Sequence, residues 1–363
     1  MKNILLVEAR STIGGGQIIS RDICQVLSKE NDLTVFLPEG NSPLSQMLQD
    51  YPQTTFKHKE LSRGKKKIID YFRFLYNFVC IATSLITLLR HKKYDIIYVQ
   101  HLSVLPIVMA VAKLFPTDIV AHVHVKYDDR KALWLINKSL SSQNVKKIIG
   151  VSNYALSQLS KQNLSKSVVV YNHVGSNLTT VLRKPISYKI AIVGDIAHSK
   201  GQIVLAEALN ILPQKLECHV VGSIVDDDYA QRVGQTNDKL IFAGMVPNVR
   251  EYLTINDIDM VVVASISGET FSLSMTEAWS IGLPTIASND TGMKELVSTF
   301  LPEHKDLMLF KTGSARELAA KLQQMYASTD QMHSISTSAH SVVVDNFDML
   351  TFSKKITNIV NEL

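Results

Sequence analysis

The sequence predicts an α/β protein with two domains, each built on a parallel sheet. Three observations carry this. Short β-branched runs alternate with helical stretches along the whole chain, the order that parallel strands joined by crossover helices impose. Several of those runs are apolar at consecutive positions, as strands covered on both faces require. The chain has 363 residues, enough for two domains of ordinary size.

The elements follow in order. Asn3 to Val7 is a first buried strand that stops at Glu8, too short for a signal peptide. Gly14, Gly15 and Gly16 then lead into a helix over Gln17 to Leu27, and Leu33 to Phe36 is the next strand. A long helical stretch runs from about Lys65 to Leu89, where Ile68, Phe72, Leu75, Tyr76 and Val79 recur at helical spacing, a stripe expected mostly to face the core. Ile96 to Val99 reads as a strand, Leu105 to Leu114 as a helix and Asp118 to Val125 as a strand. Lys147 to Val151, Asn153 to Ser160 and Val168 to Tyr171 complete the half as strand, helix and strand. The second half repeats the style. Lys189 to Val193, Glu217 to Val221 and Leu240 to Phe242 are strands, and Gly201 to Leu212 is a helix. The polar stretch Ser176 to Ser187, with Pro185, marks the boundary, so residues 1–182 and 183–345 form the two domains. Residues 346–363 form a last helix. No tandem repeat and no low-complexity stretch interrupts this plan.

Bulk properties narrow the function. Apolar content of 46% and charged content of 20% fit a soluble globular protein. Cys24, Cys80 and Cys218 are unpatterned, which points to a reducing compartment rather than a disulfide framework or a zinc site. No uninterrupted apolar run reaches the length of a membrane span; the longest candidate, Phe78 to Leu89, contains Thr83, Ser84 and Thr87 and ends at Arg90. Residues 1–187 hold 25 Lys and Arg against 12 Asp and Glu, an excess of +13, while the remainder carries −8. The N-terminal half is therefore expected to meet something anionic. Arg63, Lys65, Lys66, Lys67, Arg73, Arg90, Lys92 and Lys93, with Tyr71, Phe74 and Phe78 among them, suit a helix resting on anionic lipid. No recognised nucleic-acid module accompanies the charge, so no nucleic-acid partner is expected.

The most informative stretch is Ala264 to Ser288. Asp259 to Ser265 reads as a buried strand ending in small residues, and Phe271 to Ile281 as a helix stopped by Gly282 and Pro284. Glu269 thus falls at the C-terminal mouth of a strand beside a helix N-terminus, where open α/β sheets bind ligands. Glu277 follows after seven residues. A carboxylate can accept both hydroxyls of a vicinal diol, so such a pair suits a polyhydroxylated ligand.

Ser265, Glu269, Phe271, Glu277, Ala278, Gly282 and Pro284 resemble the signature of the retaining glycosyltransferases of family 4, which have the two-domain GT-B fold. Ala264 departs from the usual Pro, and Thr270 and Ser272 from a common Gly, but both keep their backbone N–H groups. The resemblance covers nearly the whole chain and is strongest from Lys189 to Val297. It implies two Rossmann-like domains, an acceptor-binding one first and a nucleotide-sugar-binding one second, with the last helix crossing back to the first. It also implies transfer of a sugar, with retention, from a nucleoside diphosphate sugar (UDP-sugar expected) to a hydroxyl acceptor. No bound metal or other cofactor is expected.

The resemblance assigns roles residue by residue. Glu269 would hold the donor sugar, Glu277 the ribose and Lys200 the diphosphate. The backbone from Thr270 through Phe271 and Ser272 to Leu273 would contact sugar or phosphate. Gly14 and Gly15, with Gly16, match a glycine pair that lets the donor approach the backbone. A dinucleotide fingerprint would need a glycine where Ile19 stands. His122 and His124 lie on one face of a strand, and His124 would contact the donor ring. Gly194 and Lys200-Gly201 match the family's phosphate loop, but Asp195 stands where an Arg is expected. Lys126 or Arg130 would be alternative cations. Asp257-Ile-Asp259 and Asp226-Asp-Asp228 read as surface or capping acids rather than metal ligands. The acceptor expected from the basic half is a lipid-linked saccharide or a cell-surface glycopolymer, with the protein cytoplasmic and peripheral on the inner face of the plasma membrane. Two rivals remain in view: a non-catalytic subunit of the same fold, to which Asp195 points, and a sugar-nucleotide epimerase.

Overall fold

The computed structural model describes residues 1–61, 67–175 and 185–363. Arg63, Lys65 and Lys66 of the basic cluster, and the expected boundary at 182, lie outside the described residues. The chain divides into two compact units, one of Met1–Tyr171 with Phe352–Leu363 and the other of Asn172–Thr351. The first division thus falls after Tyr171. Val174 N–H donates to the Phe347 carbonyl at 3.1 Å, which ties the segment after Tyr171 to the second unit.

The first unit is a seven-stranded parallel sheet. Its strands are β1 (Asn3–Val7), β2 (Asp32–Pro38), β3 (Gln53–Phe56), β4 (Ile96–Val99), β5 (Asp118–Val123), β6 (Val145–Gly150) and β7 (Ser167–Val169). They lie in the order β3-β2-β1-β4-β5-β6-β7. Leu5, Leu6, Val35, Ile97, Tyr98 and Val120 are fully buried, which explains why these strands read as continuous apolar runs. The second unit is a six-stranded parallel sheet of β8 (Lys189–Val193), β9 (Glu217–Val221), β10 (Leu240–Gly244), β11 (Met260–Val263), β12 (Thr285–Ser288) and β13 (Leu309–Phe310). Its order is β10-β9-β8-β11-β12-β13. In each sheet the chain starts in the middle, winds to one edge, then returns to the other side. That reversal leaves a crevice beyond the C-terminal ends of β1 and β4, and another beyond β8 and β11.

Several expectations shift. No sequence pattern marked β3 or β13, nor the helices Pro43–Met47, Arg130–Leu140, Asp227–Thr236, Val249–Ile255, Gly292–Phe300, Lys305–Met308, Ala315–Tyr326 and Thr329–Asn346. The helix expected over Asn153 to Ser160 is two short ones, Asn153–Leu156 and Lys161–Leu164, because Ser160 accepts the Asn163 N–H at 3.3 Å and starts a new helix. Asp226 does cap a helix, accepting the Tyr229 N–H at 2.9 Å. Asp259 is buried rather than a surface acid. It accepts the N–H groups of Ser187 and Lys189 at 3.1 Å and the Tyr326 hydroxyl at 3.3 Å. The long helix is Ile68–His91, and at 24 residues it is long and apolar enough to cross a membrane, which the run Phe78 to Leu89 understated. Its buried residues include Asn77, Ile81, Leu85 and Leu89, so the core-facing line is not the expected stripe: Ile68, Phe72, Leu75, Tyr76 and Val79 are exposed. Asn77 exchanges hydrogen bonds of 2.8 Å with the backbone N–H and C=O of Lys59. The helix is thus a layer of the first unit.

Candidate active site

In the second unit the loops after β8 and β11 leave the sheet side by side. Backbone contacts lock them together. Gly194 turns the chain at φ +138°, and a Cβ there would meet the Lys200 Cε at 3.5 Å. Gly201 sits at φ +70°, and a Cβ on it would lie 2.1 Å from the Ala264 carbonyl oxygen. Ile266 N–H donates to the Ser199 carbonyl at 2.9 Å. The loop after β12 closes the set, since Gly292 N–H donates to the Glu269 carbonyl at 2.9 Å and a Cβ on Gly292 would lie 2.0 Å from the Thr270 oxygen. Only glycine admits the approaches at 201 and 292, and at 194 only glycine adopts the backbone without strain.

The result brings Lys200 and Glu269 together. Lys200 Nζ donates to Glu269 Oε2, and Ser265 Oγ donates to the same oxygen at 3.1 Å. Among the described residues both bonds fall on Oε2. The Glu269 side chain is 13% exposed and that of Lys200 is 32% exposed, so the pair is held yet reachable. The helix that follows is Leu273–Ser280, with Ser272 as its cap, accepting the Met275 N–H at 3.3 Å. It starts two residues later than expected, because Ser272 satisfies the first turn. The N–H groups of Leu273 and Ser274 have no acceptor within the helix. Thr270 and Phe271 are buried, and the Phe271 ring meets Phe347 edge-on at 5.7 Å, so Phe271 can offer a ligand only its backbone. Glu277 is half-buried, and loss of hydration pushes its carboxyl up to about 7, opposed by the positive charge of Arg250. Asp195 is exposed, and its carbonyl accepts Gln202 Nε2 at 3.0 Å.

In the first unit, Gly14 caps the helix Gly15–Leu27 in extended conformation with no side-chain bond. Gly15 and Gly16 form its first turn. Ahead of them lies Glu8, which in the sequence marks only the end of the first strand. Its buried carboxylate accepts the N–H groups of Ala9 at 2.8 Å and Arg10 at 3.0 Å, and the Ser20 hydroxyl at 3.0 Å. Burial raises its pKa. Glu8 thus ties the loop after β1 to the helix behind the glycines. His124 lies one residue beyond β5, with its ring stacked on His122 at 4.0 Å. His124 Nε2 and Gln100 Oε1 form a hydrogen bond of 2.7 Å. Burial pushes His124 down to about 4 and His122 well below its ordinary value, so both rings are neutral near neutral pH. Gln100 Nε2 is buried and unpartnered among the described residues. Gln100 was not legible as a site residue, since a lone Gln after a strand carries no pattern. Of the alternative cations, Lys126 is engaged, donating to Ser157 Oγ at 3.2 Å and lying 4.0 Å from the Tyr154 ring centre. Among the described residues no three His, Cys, Asp or Glu side chains cluster as metal ligands.

Two family models match this chain, one described as Glycosyltransferase Family 4 over residues 13–176 and one as Glycosyl transferases group 1 over 187–328. No curated protein matches the sequence. Among solved structures, Anabaena HepE in complex with UDP-glucose shares 17% identity over all of both chains, with a TM-score of 0.81. A glycosyltransferase from Rickettsia africae shares 20% over 99% of this chain and 98% of its own, at 0.74. S. aureus TarM, bound to fondaparinux, alpha-GlcNAc-glycerol and UDP, shares 12% over 99% and 100%, at 0.73.

Proposed function

The chain belongs to the family 4 glycosyltransferases of GT-B fold, and from that premise we propose that it moves a sugar, with retention, from a UDP-sugar to a hydroxyl of a lipid-linked saccharide or cell-surface glycopolymer. The observation that carries this reading is the Lys200–Glu269 pair at the reversal point of the second sheet. In the free protein each neutralises the other. With donor bound, Lys200 faces the diphosphate and Glu269 accepts hydroxyls of the sugar. Stabilising charge on the departing diphosphate is the main catalytic contribution. The backbone from Thr270 to Leu273 offers N–H donors, Gly14 to Gly16 offer close approach, and neutral His124 donates or accepts at the sugar ring. In this reading the transfer needs no metal, and the protein works in the cytoplasm, peripheral to the plasma membrane. HepE was solved with UDP and with UDP-glucose, which supports the choice of donor.

UDP-glucose at a hundred times its dissociation constant is expected to stabilise the protein by about 2.7 kcal/mol, read as a rise in Tm. A panel of UDP, GDP, ADP and dTDP sugars ranks the bases. No shift with any of them at millimolar concentration favours the second reading, a non-catalytic subunit of the same fold, for which exposed Asp195 at the phosphate loop is the specific observation.

Glu277 gives the reading a pH signature. Its carboxyl is raised, so it loses its proton near pH 7, and the ionised form is the better acceptor for ribose hydroxyls. Affinity for UDP-glucose is therefore expected to rise with pH, about tenfold between pH ~6 and pH ~8. Calorimetric titration checks this, and Glu277→Gln should flatten the profile. The sugar nucleotide's diphosphate does not titrate in this window, so the slope belongs to the protein.

A further inference from the structure

The helix Ile68–His91 carries an outward stripe that changes character along its length. Over its first three turns the stripe is apolar, with Ile68 80%, Phe72 69%, Leu75 62% and Val79 55% exposed. Further along the same line it becomes Thr83, Thr87 and Arg90, all exposed. A helix meant only to cover a core would not present four large apolar side chains at successive turns to water. A second helix, Arg130–Leu140, adjoins the apolar end, since Lys131 Nζ lies 6.0 Å from the Tyr71 ring centre. Its exposed positions are Arg130, Lys131, Trp134 and Lys138, and Trp134 is 62% exposed. Lys138 Nζ sits 5.0 Å from the Trp134 ring centre. The two helices together contain a single acid, Asp70, which is buried and accepts the Lys67 N–H at 2.8 Å. An apolar ridge with an aromatic and a basic rim, and no exposed acid on either helix, matches one kind of partner: the surface of an anionic bilayer.

We propose that the first three turns of Ile68–His91, with Trp134 beside them, dock the protein on anionic membranes. Ile68, Phe72, Leu75 and Val79 enter the boundary between headgroups and acyl chains. Arg130, Lys131 and Lys138 remain at the headgroup level, with their stems along the apolar ridge. The helix lies on the bilayer and does not cross it, because Asn77, Ile81, Leu85 and Leu89 belong to the interior of the first unit. This deepens the peripheral membrane placement proposed above, and it stands on exposure and charge independently of donor use.

The protein carries its own probe. It has two tryptophans, of which Trp279 is fully buried and donates to Thr285 Oγ1 at 2.9 Å. Trp134 is therefore the one whose emission can respond to lipid. The full chain is mixed with vesicles of phosphatidylcholine alone or with phosphatidylglycerol added, without any saccharide acceptor. The expected result is a blue shift and co-sedimentation with the anionic vesicles only, both weakened at high salt. Phe72→Ser with Leu75→Ser should abolish insertion, and Lys131→Glu with Lys138→Glu should weaken partitioning about tenfold or more. All four side chains are exposed or at the rim, so the variants should fold, which an unchanged Tm verifies. Trp134→Phe should lose the shift but still sediment. Equal binding to neutral vesicles, or none to either, overturns the proposal. A concentration-dependent dimer that already shields Trp134 without vesicles overturns it in favour of a second copy of the chain. In either case the nucleotide-binding measurements above are untouched.

Discussion

Replacing Glu269 by alanine is expected to lower kcat/KM for the UDP-sugar by two to three decades, about 3–4 kcal/mol, with the fold intact. Two charge-assisted hydrogen bonds to sugar hydroxyls are lost, each contributing about 1.5–3 kcal/mol and not fully additive. The substitution also frees Lys200 and Ser265 from the oxygen they share. Lys200→Ala should lower kcat more than it raises KM, because charge on the leaving diphosphate grows in the transition state. The double variant should be much less than the product of the two losses, since each residue holds the other in place before the donor arrives. Full turnover in Glu269→Ala would remove Glu269 from the reaction, and strictly multiplicative losses would show that the ion pair has no part in preparing the site. Melting curves within a degree or two of the parent separate these effects from unfolding.

Gly201→Ala is expected to damage stability and activity together. A left-handed backbone at φ +70° costs an alanine roughly 1–3 kcal/mol, and the new methyl would overlap the Ala264 carbonyl. The loops after β8 and β11 must then part, and Lys200 and Glu269 lose their register. A drop of ~3 kcal/mol or more in unfolding free energy is the expected reading from denaturant titration. Gly16→Ala is the matched control. Nothing lies within 4 Å of its Cβ and it sits in a first helical turn, so alanine should be neutral or add up to about 1 kcal/mol. If that variant is stable yet binds UDP-glucose worse, the donor approaches Gly16 more closely than a methyl allows. Equal stability of Gly201→Ala and the parent would mean that the loops are not locked as described.

Both sheets were legible in the sequence because parallel strands buried on two faces leave uninterrupted apolar runs. The strands β3 and β13 were not, since Gln53-Thr-Thr-Phe56 is an edge strand with one neighbour and a polar outer side, and Leu309–Phe310 is an edge strand too short to leave a pattern. The pair Glu269 and Glu277 was legible because its strand, turn and helix lie within one short segment. Its closeness to Lys200 was not a property of that segment, being made by Gly201 against Ala264. Asp259 shows the same limit from the other side. An acid before a strand looks like a surface cap, and its partners Ser187, Lys189 and Tyr326 lie 67–72 residues away in sequence. Glu8 and Gln100 escaped notice for a similar reason: each is a single polar residue at a strand end, given meaning only by what the sheet sets beside it.

The chain's last segment sets an order of assembly during synthesis. Phe352, Ile356, Ile359 and Val360 are buried in the first unit, Lys2 Nζ donates to the Val360 carbonyl at 2.7 Å, and Lys147 pairs with Glu362 at 3.0 Å. On the ribosome these partners are separated by the whole of Asn172–Thr351. At about 5–20 residues per second, the first unit waits roughly ten to forty seconds with that apolar surface uncovered. The second unit is contiguous and can complete itself in the meantime. The unit begun first is therefore the one finished last, and it is the nascent chain's N-terminal half that offers chaperones an open face.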